Sequence, residues 1–410
     1  MPNIRAFRGV RPTNDFTDDV YISHENSANQ EKARELLLRN PYTLLHLTHN
    51  DLIMDTNDED EIQKACHDVF DRLMRDGVLI QDDKPYLYAY RLSMANHSQT
   101  GLIASIDIKE YIDKKIKKHE LTRSSKARLQ VDILKRVGGI IEPILLAYDS
   151  AELPEHIVEE WTVSHDSIYD TLDIGGTRHE IWVIDDEEFL YKLKAAMDAL
   201  SAFYICDGHH RIEAAAEYYL EATTEEEKEN RRYTMAVIFP SDEMLILDYN
   251  RAVRDLNGIS EEEFIGALKS HDFTIEGIGR DATYPTKLGE YTMVMNGIWY
   301  RLNYMGERNY ADPVDALDVS ILQEKVLQDI LGIGDPQHDD RLSFISGTKG
   351  LHALEAATRD GMAVAFALVP PSMSEIMNVC NAGKTMPPKS TCFEPKPAGG
   401  LIVHRNETPI

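Results

Sequence analysis

The alternation of short apolar segments with longer helical segments is the feature that most limits the possible folds. Between residues 102 and 240 the chain reads as strand "LIASID", a basic connection, strand "PILLAYD", strand "HEIWVI", a helix, strand "AFYIC", an alanine-rich helix and strand "YTMAVIF". Strands that alternate with helices in this way are typical of a sheet covered by helices. The pattern therefore predicts an α/β to α+β domain built on a mixed sheet with flanking helices.

A second domain is expected after Asn257-Gly258, where the pattern restarts. Ser260 is a helix N-cap candidate, and "YTMVM-NG-IWYRL" predicts a hairpin with Asn296-Gly297 in its turn. We therefore expect an N-terminal domain over 1–257 and a C-terminal α+β domain over 258–410. The proline-rich tail of the second is expected to pack back on the first.

Further local predictions follow from apolar spacing and capping residues. Helices are expected over Asn29–Arg39, over Asp58–Arg75, from an Asp185/Glu188 capping box onwards and over Leu317–Leu331, and a strand is expected over Met362–Val369.

Composition excludes several classes of protein. The chain of 410 residues carries a formal net charge of −27, which repels nucleic acid and argues against general DNA binding. The longest apolar run, "MAVAFALV", is far shorter than the roughly 20 residues of a membrane span, and the N-terminus lacks the apolar core of a signal peptide. The four cysteines are scattered, so we expect reduced thiols in a cytoplasmic protein.

One basic segment stands against this acidic background. Residues 114–136 contain nine Lys and Arg but only two acidic residues, a local balance of +7. Two interpretations stay open: a solvated helix face, or a site for a small anion. Within it, His119 and Glu120 lie near Lys118 and Arg123. A carboxylate in this field would stay ionised, as suits either a general base beside phosphates or an ordinary ion pair.

The sequence "DGHHR", Asp207 to Arg211, lies between a predicted strand and a predicted helix. The amide groups and the positive dipole end of a helix N-terminus attract anions. Asp207 is expected at the N-cap, Gly208 allows close approach of the backbone, and Arg211 offers a fork for phosphate or carboxylate. The alternatives are a plain cap with exposed histidines and a zinc site using His209 and His210.

Two weaker candidates for a substrate site remain. "GGTRHEIW" places Arg178 and His179 just before a strand, where a turn is the commoner explanation. "MPPKSTCFEPK" presents Lys389, Ser390 and Thr391 as phosphate-type donors after two prolines, and a structural role is the alternative there.

Several long motifs together resemble the bacterial family catalogued as domain of unknown function 1015. They are "IRAFRGVRP", "ARELLLRNPYTLLHL", "IKKHELTR", "RHEIWV", "ICDGHHRIEAA", "LDYNRAVRDLNG", "DPVDALDVSILQEKVLQDILGI", "GLHALE" and "MPPKSTCFEPKPAGGLIVH". The resemblance covers almost the full chain. It departs from the family pattern at Ser124–Gln130, where a proline and an acidic run are usual, which puts the activity of this member in doubt.

The "DGHHR" turn is also similar to the phosphate-binding turn of the ParB and sulfiredoxin superfamily, which contains enzymes that phosphorylate free serine. This resemblance implies Asp207, His209, His210 and Arg211 at the phosphates and Glu120 as the catalytic base. It also implies a ParB/sulfiredoxin-like core for the first domain. No helix-turn-helix segment accompanies the turn.

The resulting expectation is a kinase that uses ATP or ADP with magnesium near Asp207 and phosphorylates the hydroxyl group of free L-serine or a similar amino acid. Catalysis is assigned to Glu120, Asp207 and His209. Nucleotide phosphates are assigned to the set Gly208, His210, Arg211, Lys118, His119 and Arg123. A nucleotide-binding or nucleotide-hydrolysing switch is the alternative, and a ParB-type DNA-partition protein ranks third. No membrane partner is expected, and the oligomeric state is left open.

Overall fold

The computed structural model describes residues 3–27, 29–56, 58–153 and 157–405. The chain forms two compact units. The first contains residues up to 118, residues 122–244 and the tail from 395, and the second contains residues 119–121 and 245–394. The division thus falls between Met244 and Leu245 rather than after Asn257, and the tail from Pro395 is part of the first unit.

The elements are numbered in chain order. The strands are β1 Ile4–Arg5, β2 Val10–Pro12, β3 Leu79–Gln81, β4 Leu87–Met94, β5 His97–Asp107, β6 Ile116–Lys117, β7 Gly139–Ile140, β8 Ile144–Tyr148, β9 Tyr169–Leu172, β10 Thr177–Ile184, β11 Phe203–Asp207, β12 Tyr233–Pro240, β13 Leu245–Leu247, β14 Tyr249–Val253, β15 Phe273–Gly279, β16 Glu290–Met295, β17 Ile298–Tyr304, β18 Leu342–Ser346, β19 Val364–Leu368, β20 Cys392–Glu394 and β21 His404–Arg405. The α-helices are α1 Thr17–Val20, α2 His24–Ser27, α3 Gln30–Arg39, α4 Leu45–Thr48, α5 Glu59–Arg75, α6 Ile108–Ile112, α7 Ser124–Val137, α8 Ile157–Ser164, α9 Glu187–Asp198, α10 His209–Leu220, α11 Glu225–Asn230, α12 Glu261–Ser270, α13 Asp318–Leu322, α14 His352–Arg359 and α15 Met373–Asn381.

The first unit is organised by a nine-stranded mixed sheet. Its order is β6-β11-β8-β12-β5-β4-β10-β9, and β1 pairs with β5. The β6/β11 and β8/β12 pairs are parallel, whereas the other pairs are antiparallel. Apolar side chains of the central strands form the main core with helices that include α8, α9 and α10. The alternating pattern therefore predicted the sheet and its helical cover correctly.

A second core in the same unit forms around α3 and α5. Both helices lie where the sequence predicted them, and Asn29 and Asp58, which were expected as their first residues, are N-caps with side-chain hydrogen bonds. Ile62, Cys66 and Phe70 are buried on one face of α5 because their spacing follows the helical repeat. The capping box predicted at Asp185 is wrong by one residue, since Asp186 caps α9 by accepting from Phe189 N.

The second unit is built on a six-stranded antiparallel sheet with the order β15-β17-β16-β19-β14-β18. Ser260 and Glu263 form the expected capping box at α12. The Asn296-Gly297 turn joins β16 to β17, and both residues have positive φ, 50° and 71°, as a type I′ hairpin requires. The helix expected over Leu317–Leu331 is divided, because α13 continues as a π-helical segment, Gln323–Gln328.

In the described ranges, each helix is too short or too polar to span a bilayer. The four cysteines are buried thiols.

Candidate functional site

The junction between β11 and α10 carries the "DGHHR" turn. Asp207 is the last residue of β11, and Gly208, not Asp207, is the N-cap of α10. Gly208 has φ of 89°, and a Cβ there would lie 2.9 Å from Arg211 Nε. Glycine is therefore required both by the left-handed backbone and by the Arg211 side chain folded above it. The helix begins without a side-chain cap and without an acidic residue in its first turn, so its N-terminal amides suit an anion.

Four charged side chains form a continuous chain of ion pairs at this junction. Arg211 Nη1 donates to Glu142 Oε2 at 2.6 Å, and Arg211 Nη2 donates to Asp207 Oδ2 at 2.9 Å. Lys396 Nζ donates to Asp207 Oδ1 at 3.1 Å. Burial by itself would raise the pKa of Asp207, but Lys396 and Arg211 hold it well below its usual range. Asp207 is therefore an ionised carboxylate between two cations.

These groups line a narrow depression, here called the charged cleft, within the first unit. Its lining residues are Ile22, His24, Ser27, Glu142, Asp207, Arg211, Lys396, Pro397 and Gly399. The ion pairs leave about 10 Å³ of free space in it. A ligand with negative charge would therefore have to replace the carboxylates as the partner of Arg211 and Lys396.

The tail that brings Lys396 to the cleft is fixed by backbone hydrogen bonds. Gly399 and Ile22 exchange a pair of N–H···O bonds of 2.9 and 2.7 Å, and Ala398 N donates to Tyr90 Oη at 3.1 Å. A Cβ on Gly399 would lie 2.8 Å from the Glu142 side chain, so the backbone passes close to the site. Lys396 is thus held by the fold, although it is far from the turn in sequence.

A second cluster joins the basic segment to α10. Lys118, Tyr111 and Thr122 all donate to Glu213 Oε2, with distances of 3.0 Å for Lys118 and 3.2 Å for Thr122. Burial would raise the pKa of Glu213, but these hydrogen bonds keep it below its usual value. Glu213 therefore anchors the chain on both sides of residues 119–121 to the helix.

His210 makes a further link to the basic segment. Its Nε2 accepts a hydrogen bond of 3.2 Å from the backbone N–H of Arg123, which is the N-cap of α7. Lys118 and Arg123 thus lie beside α10, but neither lines the charged cleft, and their assignment to the nucleotide phosphates stays a prediction. His209 is buried in the first turn of α10.

Most of the remaining basic residues of this segment are ion-paired. Arg128 and Lys135 both contact Glu221, and Arg136 contacts Glu59. The excess of positive charge in the sequence is therefore largely balanced by acidic partners in the folded first unit.

Arg178 and His179 lie away from the turn. They belong to β10, which four strands separate from β11 in the sheet. Arg178 is exposed and pairs with Asp170 at 2.6 Å, so the assignment of Arg178 to a substrate site with the turn is not supported by its position. His179 is buried, and its Nδ1 lies 2.7 Å from Tyr90 Oη, the group that also holds Ala398. His179 therefore supports the tail that carries Lys396.

The other predicted residues belong to the second unit. His119 is buried, with Nε2 at 3.1 Å from Thr391 Oγ1. Ser390 Oγ donates to Pro387 O at 2.6 Å, and Lys389 has a positive φ of 56°. Ser390 and Thr391 thus make hydrogen bonds within their own unit. Glu120 is half-buried and is grouped with the same unit.

Metal binding at Asp207 is not prepared by the described side chains. Among them no group of three or more His, Cys, Asp or Glu residues is arranged to hold a metal ion. Both Asp207 oxygens accept from cations, so they are not available as magnesium ligands while those ion pairs stand. Magnesium at Asp207 therefore stays a prediction.

Three residues of the charged cleft with ionisable side chains were missed by the sequence analysis. Glu142 lies in the short connection between β7 and β8, His24 begins α2, and Lys396 follows β20. Glu142 and His24 carry no local motif. Lys396 did have a signal, because it is a lysine between two prolines, but the neighbouring Lys389 was chosen instead.

The turn, the ion pairs and the sheet define an α/β protein with a cluster of charged side chains at a strand-to-helix junction. The chain belongs to the family described as "Protein of unknown function (DUF1015)", whose model matches residues 4–320. A search of curated proteins found no match.

Solved structures give distant likenesses. One is a mutant of a free serine kinase in complex with AMP, with TM-score 0.36 and 17% identity over 73% of this chain and 92% of that chain. A conserved hypothetical protein from Pyrococcus furiosus has TM-score 0.34 and 14% identity over 73% and 93%. SbnI with a C-terminal truncation, from Staphylococcus aureus, has TM-score 0.38 and 13% identity over 74% and 87%. Likenesses this distant carry no conclusion about the chemistry of this chain.

Proposed function

We propose that the protein is a nucleotide-dependent kinase that transfers a phosphoryl group from ATP or ADP to the hydroxyl group of free L-serine or a similar amino acid. The observation that supports this best is the convergence of Arg211 and Lys396 on Asp207 at the uncapped start of α10. Phosphoryl transfer depends mainly on positioning and on neutralising charge, and two cations beside a helix N-terminus supply both.

In the proposed binding mode, the nucleotide phosphates take the place of the carboxylates that pair with Arg211 and Lys396. A phosphate at the start of α10 accepts from its first amides and replaces the carboxylates at Arg211 and Lys396. Ion pairs that are partly exposed, as these are, contribute only about 0 to 1 kcal/mol each. A phosphate carries more charge than one carboxylate and offers Arg211 a bidentate acceptor, so the exchange favours the nucleotide.

In the proposed reaction the acceptor oxygen loses its proton and bonds to phosphorus as the bond from phosphorus to the nucleotide's bridging oxygen breaks. Glu120 is proposed as the base because the resemblance of the turn to enzymes that phosphorylate free serine implies a catalytic glutamate on an earlier segment. His209, His210 and Lys118 are proposed to support the phosphates from α10 and its neighbouring segment. Arg211 and Lys396 balance the charge that develops on the leaving nucleotide.

A regulatory switch that binds or hydrolyses a nucleotide is the second candidate. The observation that favours it is that Arg211 pairs with Glu142 and Asp207 and Lys396 pairs with Asp207, so that these carboxylates and a bound phosphate would be alternative partners of the same cations. Two discrete pairings of the same cations are the kind of element on which a switch depends.

The test is a stability screen followed by a product assay. ATP, ADP and amino acids are added separately and together, because a ligand at a hundred times its dissociation constant stabilises the folded state by about 2.7 kcal/mol. Products are then identified by phosphorus NMR. Stabilisation by a nucleotide and a new phosphate ester that requires the amino acid are expected. Stabilisation without any ester favours the switch, and lack of stabilisation by every nucleotide contradicts both.

A further inference from the structure

A cavity of about 230 Å³ in the first unit lies beside the charged cleft. One wall is a face of α7, where Leu129, Ile133 and Val137 follow each other at the helical repeat. The rest is formed by residues of α2, α4, the chain around β7, β8 and β12. These residues are Ser27, Thr48, His49, Gly139, Ile140, Ile141, Glu142, Ile144, Arg211 and Thr234, with Gln130 and Leu134 also on α7.

The cavity is apolar over most of its wall and polar at a few points. Uncharged polar side chains in the wall include Thr48, His49 and Gln130. Thr48 Oγ1 lies 2.7 Å from His49 Nδ1, which orients that ring. Burial lowers the pKa of His49, which favours its neutral imidazole. An apolar wall with a few fixed polar groups is typical of small-molecule sites.

The cavity and the charged cleft are adjacent. Ser27, Glu142 and Arg211 line both of them. A ligand that fills the two spaces must therefore have an apolar body on one side of Arg211 and negative charge on the other. This combination excludes an inorganic anion and a simple amino acid, which would each fill one part only.

We propose that the cavity binds the purine ring of the nucleotide whose phosphates occupy the charged cleft. This inference rests on the proposed function. An engineered cavity of about 150 Å³ holds one benzene ring, so a volume of 230 Å³ is sufficient for a bicyclic base. Aliphatic side chains cover the two faces of the base, and Thr48, His49 and Gln130 hydrogen-bond to its edge.

The first experiment compares three probes by calorimetry on the full chain: ADP, adenosine and pyrophosphate. We expect all three to bind, ADP at least about tenfold more tightly than pyrophosphate, because burial of the base adds apolar contact. We also expect pyrophosphate and adenosine to bind the protein at the same time, and each of them to compete with ADP. If pyrophosphate binds and ADP binds no more tightly, the purine site is wrong while the phosphate site stands. If none of the three binds, both are wrong.

The second experiment uses two matched variants. Leu129 is 62% exposed at the mouth of the cavity on α7, and Leu38 is 63% exposed on α3, away from it. Leu129→Asp and Leu38→Asp introduce the same charge at similarly exposed helix positions. We expect Leu129→Asp to weaken the binding of ADP and of adenosine by about tenfold, and Leu38→Asp to leave both affinities unchanged. Equal effects of both variants would overturn the proposal.

A third variant tests the volume of the cavity directly. Ile133→Phe adds side-chain volume to the α7 wall at a partly buried position. We expect loss of adenosine binding with pyrophosphate affinity within about twofold of the wild type, because the charged cleft is unaltered. If Ile133→Phe abolishes binding of both adenosine and pyrophosphate, the variant disturbs the fold. The comparison of Leu129→Asp with Leu38→Asp then decides whether the cavity binds the base. Unchanged adenosine binding would count against the site.

Discussion

Arg211 is the residue on which the two spaces of the candidate site depend, because it lines both and pairs with Glu142 and Asp207. Gly208 allows its position, since any larger residue would meet its guanidinium. Both residues were identified from the sequence, because "DGHHR" contains them within one turn. Glu142 and Lys396 were not, because only the tertiary fold brings them to that turn.

The first prediction concerns the guanidinium of Arg211. Arg211→Ala removes charge-assisted hydrogen bonds of about 1.5 to 3 kcal/mol each, so ADP affinity should fall by at least about tenfold. Arg178→Ala is the matched control, because Arg178 also pairs with a nearby aspartate but lies on β10. Isothermal calorimetry measures both. An Arg211→Ala protein that folds and binds ADP normally would remove the turn from the site.

The second prediction concerns Lys396 and pH. Asp207 has a lowered pKa, so its ion pairs stabilise the fold above the unfolded pKa of about 4, and this contribution is lost as the pH falls toward the folded value. Lys396→Met should therefore reduce the free energy of unfolding by about 1 kcal/mol at pH 7, and the deficit should shrink below pH 4. Urea unfolding at several pH values measures it. A deficit that does not vary with pH would show that Lys396 acts through packing alone.

At the scale of elements, local signals predicted helices and turns well. The positions of α3 and α5, the Ser260 cap of α12 and the Asn296-Gly297 hairpin were each expected from residues close in sequence. The strand order was not predictable, because pairing such as β12 between β8 and β5 depends on contacts distant in sequence. For the same reason, the cavity beside α7 was not expected from the sequence.

The third prediction separates backbone conformation from packing in the second unit. A Cβ added at Gly297 or at Gly266 meets nothing within 4 Å, but Gly297 has φ of 71° whereas Gly266 lies within α12. Gly297→Ala should therefore destabilise the β16/β17 hairpin by about 1 kcal/mol. Gly266→Ala should stabilise α12 by about 0.5 to 1 kcal/mol. Amide hydrogen exchange on each element measures the two effects, and shifts of equal sign would contradict the explanation.

At the scale of the whole molecule, the net charge of −27 is the dominant property. The fourth prediction is that the melting temperature rises as ionic strength increases from about 0.01 M to about 0.15 M, because the Debye length falls from about 30 Å to about 8 Å and screens self-repulsion. Near the isoelectric point of about 4.9 the same increase in salt should have little effect. A melting temperature at pH 7 that is insensitive to salt would show that the charge is locally balanced.

Duplex DNA should not be retained by the protein at moderate salt, and retention would support the DNA-binding alternative.

The first unit is completed by a segment that follows the second unit in the chain, since Lys396 and β21 come after residues 245–394. A ribosome that adds about 5 to 20 residues per second needs roughly 8 to 30 s to make the intervening residues. During that interval the nascent chain contains Asp207 and Arg211 but not Lys396. The charged cleft is therefore incomplete while the second unit is being translated. An unfinished chain therefore lacks a complete site, which means that any activity there begins only when translation has passed the tail.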